Sequence, residues 1–144
     1  MALLTLVYQC DAVNVYWHEQ HQYYMADWQP VFRKGDELRN AYKKCVELAR
    51  ARPGAPWLTE ASNFSVIDPA DVQWIADFFW PEFVKAGARY QAAVSPKKEV
   101  ARMSASRATE KMTKTGAFQT TVHPTRAEAE AAIIEWRAKR ADRE

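Results

Sequence analysis

Three sets of residues in this chain have types that acid–base, metal or nucleophilic chemistry would need. The first is the carboxylate set Glu60, Asp68 and Asp71 in "EASNFSVIDPAD", which as a cluster could exchange protons with a substrate. No histidine, lysine or nucleophile lies beside it in sequence. Asp68-Pro69-Ala70-Asp71 also reads as a helix start, with an acceptor at the N-cap, proline at the first helical position and a carboxylate in the first turn. The expectation is that Asp68 caps a helix and that the loop carries no catalytic residue. The second set is His18 and His21 in "WHEQH", one residue short of a His-Glu-x-x-His zinc pattern, with His123 far along the chain. A zinc site would need these groups to converge with a fixed second shell, and hairpin-tip histidines are usually solvated. No metal is expected. The third set is the thiols Cys10 and Cys45, which lack metal spacing and read as two reduced, buried groups. The four glycines are scattered, so no phosphate loop and no cofactor is expected.

A chain of 144 residues can bury one proper core, and residues 1–144 are expected to form a single domain. Its net charge of +2 comes from 20 basic and 18 acidic residues, too balanced for the concentrated basic patch of a nucleic-acid protein. The tail "RAKRADRE" mixes signs and reads as a solvated helix end. Ser104 and Ser106 in "RMSASRAT" read as the polar face of a helix rather than a kinase target. "MALLTLVYQC" has no basic leader and a short apolar run broken by Thr5, so it reads as a strand and not a signal peptide. No stretch approaches the ~20 apolar residues of a membrane span. A cytoplasmic location with no membrane span is the expectation.

These residues need elements to hold them. "LLTLVYQ", "VNVYWHE" and "YYMADWQP" are rich in β-branched and aromatic residues and predict three strands, the last two forming a hairpin. In "GDELRNAYKKCVELARARPG", Leu38, Ala41, Cys45, Leu48 and Ala49 recur at helical spacing until Pro53-Gly54 stops the helix. A strand in "APWLTEAS", a helix to Gly87 and a strand in "RYQAAVS" follow. Ser95-Pro96 opens a third helix that should end near Gly116. "AFQTTVH" is the last strand. "TRAEAEAAIIEWRAKR" closes as a helix, with Thr125 and Glu128 in capping-box spacing and Ile133 and Trp136 as core anchors. The order β-β-β-α-β-α-β-α-β-α predicts an α/β domain with one mixed sheet, an antiparallel N-terminal hairpin plus parallel strands, and about four helices.

The element order and the pattern Trp57-Leu58, Ile67-x-Pro69-x-Asp71-x-x-Trp74, Pro81, Ala86-Gly87 resemble small bacterial single-domain STAS-like proteins (sulfate transporter and anti-sigma-factor antagonist). Sequence comparison sometimes groups those with CRAL-TRIO lipid-transfer domains. The resemblance runs from "LTLVYQ" to "IIEW" and implies a STAS-like sheet and a non-catalytic, regulatory role. In the anti-sigma-factor antagonists a serine in an Asp-Ser-x-Gly context is phosphorylated, which points here to Ser62 and Ser65. This loop has no Asp-Ser pair and no glycine, and Glu60 and Asp68 would repel a phosphate. Neither serine is expected to be an obligatory phosphoacceptor.

The helix after that loop carries surplus aromatic mass. Advancing about 100° per residue puts Val72, Ile75, Ala76, Phe79, Phe83 and Ala86 on a core face. Trp74 and Phe78 then fall off that face, Pro81 continues their line, and Trp80 sits on a flank. Pro81 should kink the helix or reset its register. Left uncovered, Trp74, Phe78, Pro81 and Trp80 would form an apolar interaction surface. The chain therefore reads as a non-enzymatic interaction module, either a homodimer or the partner of another protein. The alternative is a carrier of a small apolar or lipid-like ligand. Large side chains (Trp57, Phe79, Phe83, Trp136) are expected to fill the core and leave such a ligand little room.

Overall fold

A computed structural model describes residues 4–30, 34–63, 67–97 and 118–143. β1 (Leu4–Gln9), β2 (Val13–His18) and β3 (Tyr23–Trp28) pair antiparallel. β4 (Trp57–Glu60), β5 (Tyr90–Val94) and β6 (Gln119–His123) add on in parallel, so six strands lie in the order β1-β2-β3-β4-β5-β6. The mixed α/β sheet expected from the sequence is present. β3 is buried on both faces, with Tyr24, Ala26 and Trp28 on one and Tyr23 and Met25 on the other. That is why it reads as an apolar run rather than an alternation.

Strands β3, β4 and β5 step across the sheet in one direction. Right-handed crossovers between them must fall on one face. α1 (Asp36–Ala51) lies there and buries Leu38, Ala41, Tyr42, Cys45, Val46 and Ala49 against Val13, Val15, Trp17 and Tyr24. The second crossover packs on the same face as a single rod: α2 (Pro69–Trp74), a π-turn (Ile75–Phe79) and α3 (Trp80–Lys85). α4 (Arg126–Arg143) takes the opposite face, where Ala129 and Ile133 pack on Met25, Leu58 and Ala92. The Thr125 hydroxyl accepts from the Glu128 N–H at 3.2 Å and starts this helix as its spacing suggested. Trp136 is only half-buried, stacked on Tyr90 with centroids 5.1 Å apart.

The rod ends at Gly87, whose φ of +113° and position against Pro53 both require glycine. A Cβ there would lie 2.7 Å from the Pro53 Cβ. The Gly54 N–H bonds the Gly87 carbonyl at 2.9 Å, so the turns after α1 and α3 lock together. The helix predicted to open at Ser95-Pro96 does not start there: Pro96 and Lys97 are not helical, and the Lys97 N–H bonds the Ser62 carbonyl at 3.0 Å. The rest of that prediction, with Ser104 and Ser106, lies outside the described residues, as does Ser65. Among the described residues no helix is long and apolar enough to cross a membrane.

Candidate functional site: an apolar cavity under the second helix

The Asp68 cap forms. Its carboxylate accepts from the Ala70 N–H at 3.1 Å, with Pro69 at the start of the helix. Asp71 does something the sequence did not signal. It is 1% exposed, pairs with Arg39 Nε at 2.9 Å and accepts from the Gly35 N–H at 2.9 Å, so it ties α2 to the start of α1. Glu60 belongs to neither group. It accepts from the Ser62 hydroxyl and from Arg126 Nε (3.1 Å), at the carboxyl end of β4. Next to it in register is Asp27, whose carboxyl is pushed up by burial against the opposing pull of Arg126. The three acids of the loop thus go to three separate sets of partners.

His123 stays apart from the other two histidines. His18 and His21 stack at 5.2 Å at the β2–β3 turn, while His123 bonds the Thr121 hydroxyl (2.8 Å) at the carboxyl end of β6. Both cysteines are free, Cys45 buried and Cys10 partly exposed.

A one-residue change of pitch decides where the aromatics of the rod go. The Trp80 N–H reaches back five residues to the Ile75 carbonyl, a π-type bond, and Pro81 has no N–H with which to continue the ladder. The wide turn inserts an extra residue, so Phe79 and Trp80 both face inward with Phe83. This corrects the flank position expected for Trp80: it packs on Phe79 (4.9 Å) and Phe118 (5.2 Å), inside the core and not on a surface patch. Uniform 100° stepping could not see the inserted residue. Trp74 is half-buried, with Tyr42 against its edge and the Arg39 guanidinium 5.5 Å from its ring centroid. Phe78 is 60% exposed beside Trp74, and Pro81 is half-buried.

Between this rod and the sheet lies a cavity of about 330 Å³. The floor comes from side chains on one sheet face, among them Ala26, Thr59, Ala61 and Ala93. Ile75, Phe79, Trp80 and Phe83 form the roof, Tyr42 and Cys45 of α1 close one side, and the far end reaches Val122 on the outer strand. Val122 is 65% exposed. Trp57, Phe79 and Phe83, expected to fill the core, instead wall a space that the small alanines of the floor leave open, while Trp136 lies on the opposite face of the sheet. No Asp, Glu, Lys, Arg or His lines it among the described residues. Burial pushes the Cys45 thiol up to about 12 and raises the Tyr42 phenol as well, so both stay protonated. The polar groups of the floor include Thr59 and Gln91, joined at 2.6 Å.

The position follows from topology. Open α/β sheets bind ligands at the crevice where strand order reverses. This parallel half never reverses, so its cavity lies on a face, under a helix. Fold and cavity together give an α/β domain with a mixed sheet and a part-open cavity whose described lining carries no charged side chain. Compared with known proteins, the chain matches no family model, no curated protein and no solved structure.

Proposed function

We propose that this protein binds a small apolar molecule between its sheet and second helix, as a carrier or sensor rather than an enzyme. The supporting observation is the cavity of about 330 Å³, with no charged side chain among its described lining residues and roughly twice the ~150 Å³ that admits a benzene ring. The STAS-like likeness, with its lipid-transfer neighbours, belongs to this proposal as a non-catalytic class. Calorimetry with naphthalene tests it. Saturable binding at one site, abolished in Ala93→Phe, which fills the floor, is expected. No saturable binding by a folded wild-type protein would overturn the reading.

A second reading concerns the outer face. Phe78, 60% exposed beside Trp74 and Pro81, supports self-association of two copies through this stripe. Light scattering should then find a dimer that Phe78→Glu converts to a folded monomer. A monomeric wild type would remove this reading and leave the first intact.

A further inference from the structure

We propose that the protein has a second site, for a small phosphorylated compound, in the cleft where the ends of α1 and α4 meet the β2–β3 turn. Arg52, Arg137 and Arg140 receive the phosphate oxygens there. The cleft shares no lining residue with the cavity under the second helix, and neither reading depends on the other.

The cleft is open, with a volume of about 640 Å³, inside the ~300–1,000 Å³ of small-molecule sites. Arg52 reaches it from the turn after α1, and Arg137 and Arg140 from the last turns of α4. Two of these guanidiniums rest on tryptophans that also line the cleft. Arg52 Cζ lies 3.9 Å from the Trp17 ring centroid, and Arg140 Cζ lies 4.9 Å from that of Trp136. Both rings are held from behind. Trp17 packs edge-on against Tyr24 at 4.9 Å and donates its Nε1 proton to Glu19 at 2.9 Å, while Trp136 stacks on Tyr90 at 5.1 Å. Arg137 is anchored differently, its Nη1 donating to the Gln22 carbonyl at 3.2 Å. A guanidinium already seated in this way loses little further freedom when an anion arrives.

Arginines with a structural duty look different in this chain. Arg39 ends on the buried carboxylate of Asp71 and Arg126 on that of Glu60. Among the described residues, Arg52, Arg137 and Arg140 end on no carboxylate. Glu19 is committed to the Trp17 indole and Glu135 to Lys139. Contact with a ring face also uses none of a guanidinium's N–H donors, so most of them still point outward. A carboxylate is satisfied by one arginine fork, whereas three forks from two elements suit a phosphate group with three free oxygens. Basic side chains at helix ends also answer the negative ends of the helix dipoles, a role that Arg50 at the end of α1 fills without lining the cleft. That role alone predicts no saturable anion binding.

Phenyl phosphate and phenylmalonate, dianions that carry the same ring, make the test when titrated into the wild-type protein by calorimetry at fixed ionic strength and neutral pH. Phenyl phosphate is expected to bind at one site, about tenfold more tightly than phenylmalonate. Arg52→Gln and Arg140→Gln should each weaken it about tenfold, whereas Arg50→Gln should leave it unchanged. On the wild type alone, the side-chain N–H resonances of Arg52, Arg137 and Arg140 should move as phenyl phosphate is added while those of Arg39 and Arg126 stay. That readout does not depend on any variant folding. Absence of saturable binding overturns the proposal, as does equal weakening by Arg50→Gln, which would make the attraction one of general charge. Phenylmalonate binding as tightly as phenyl phosphate overturns the phosphate class. None of these results bears on naphthalene binding under the second helix.

Discussion

Cys45 shows how far burial alone can change a residue. Its thiol has an ordinary value of 9.0 and is pushed up to about 12 by desolvation, with Cys10 adding to the shift. Between those values the unfolded chain releases the proton and the folded one keeps it. Deprotonation then favours the unfolded state, so stability falls as pH rises past about 9 and is unaffected by this group below that. Urea midpoints at about pH 8 and about pH 10 should differ, and the difference should shrink in Cys45→Ala. Asp68 and Asp71 invite a second comparison. Asp68→Ala removes one helix cap and should cost ~0.5–2 kcal/mol in denaturant unfolding. Arg39→Met strands the buried Asp71 carboxylate. It should cost about 2–3 kcal/mol, below the ~3–5 of a fully buried pair, because the guanidinium is partly solvated. If the two variants unfold alike, the bridge between α1 and α2 contributes nothing beyond an ordinary cap.

At the scale of elements, the π-turn separates neighbouring aromatics into different roles. Trp80→Ala should cost ~3–5 kcal/mol as a large buried ring lost from the core. Phe78→Ala, two residues away, should fall within about 0.5 kcal/mol of wild type. Thermal or chemical unfolding of both variants checks this, and similar losses would remove the turn from the account. All six strands, α1 and α4 could be read in advance from local signals: an alternation such as Val13-Val15-Trp17 or an aromatic-rich run such as β3 for a strand, and a period such as Leu38-Ala41-Cys45 for a helix. The rod could be read only to Ile75. Pro81 signalled a disturbance without giving its direction, and the inserted residue is set by packing against Phe118 and the sheet. The Asp71–Arg39 pair spans 32 residues and leaves no local trace. The cavity was illegible for a related reason. Large residues were counted as filling, although a ring fills or walls a space depending on what faces it, and here Ala26, Ala61 and Ala93 face the rings.

For the whole molecule, the strand order has a consequence in time. Neighbours in the sheet are neighbours in sequence at every step from β1 to β6. Each strand, as the chain emerges during synthesis, finds its partner already made, and no strand must be held open for one still to come. Loop closure is short only within the antiparallel part, from β1 to β3, and each parallel strand is added across a much longer connection at a higher entropy cost. Pulse-labelled hydrogen exchange during refolding should find the β2–β3 pair protected before β5–β6, since the hairpin closes over four residues and the last parallel pair over a far longer connection. Simultaneous protection of both would mean that the sheet condenses as one unit. Growth by addition also leaves a moving frontier: until β6 docks, the unpaired edge of β5 is the surface on which two unfinished chains could join.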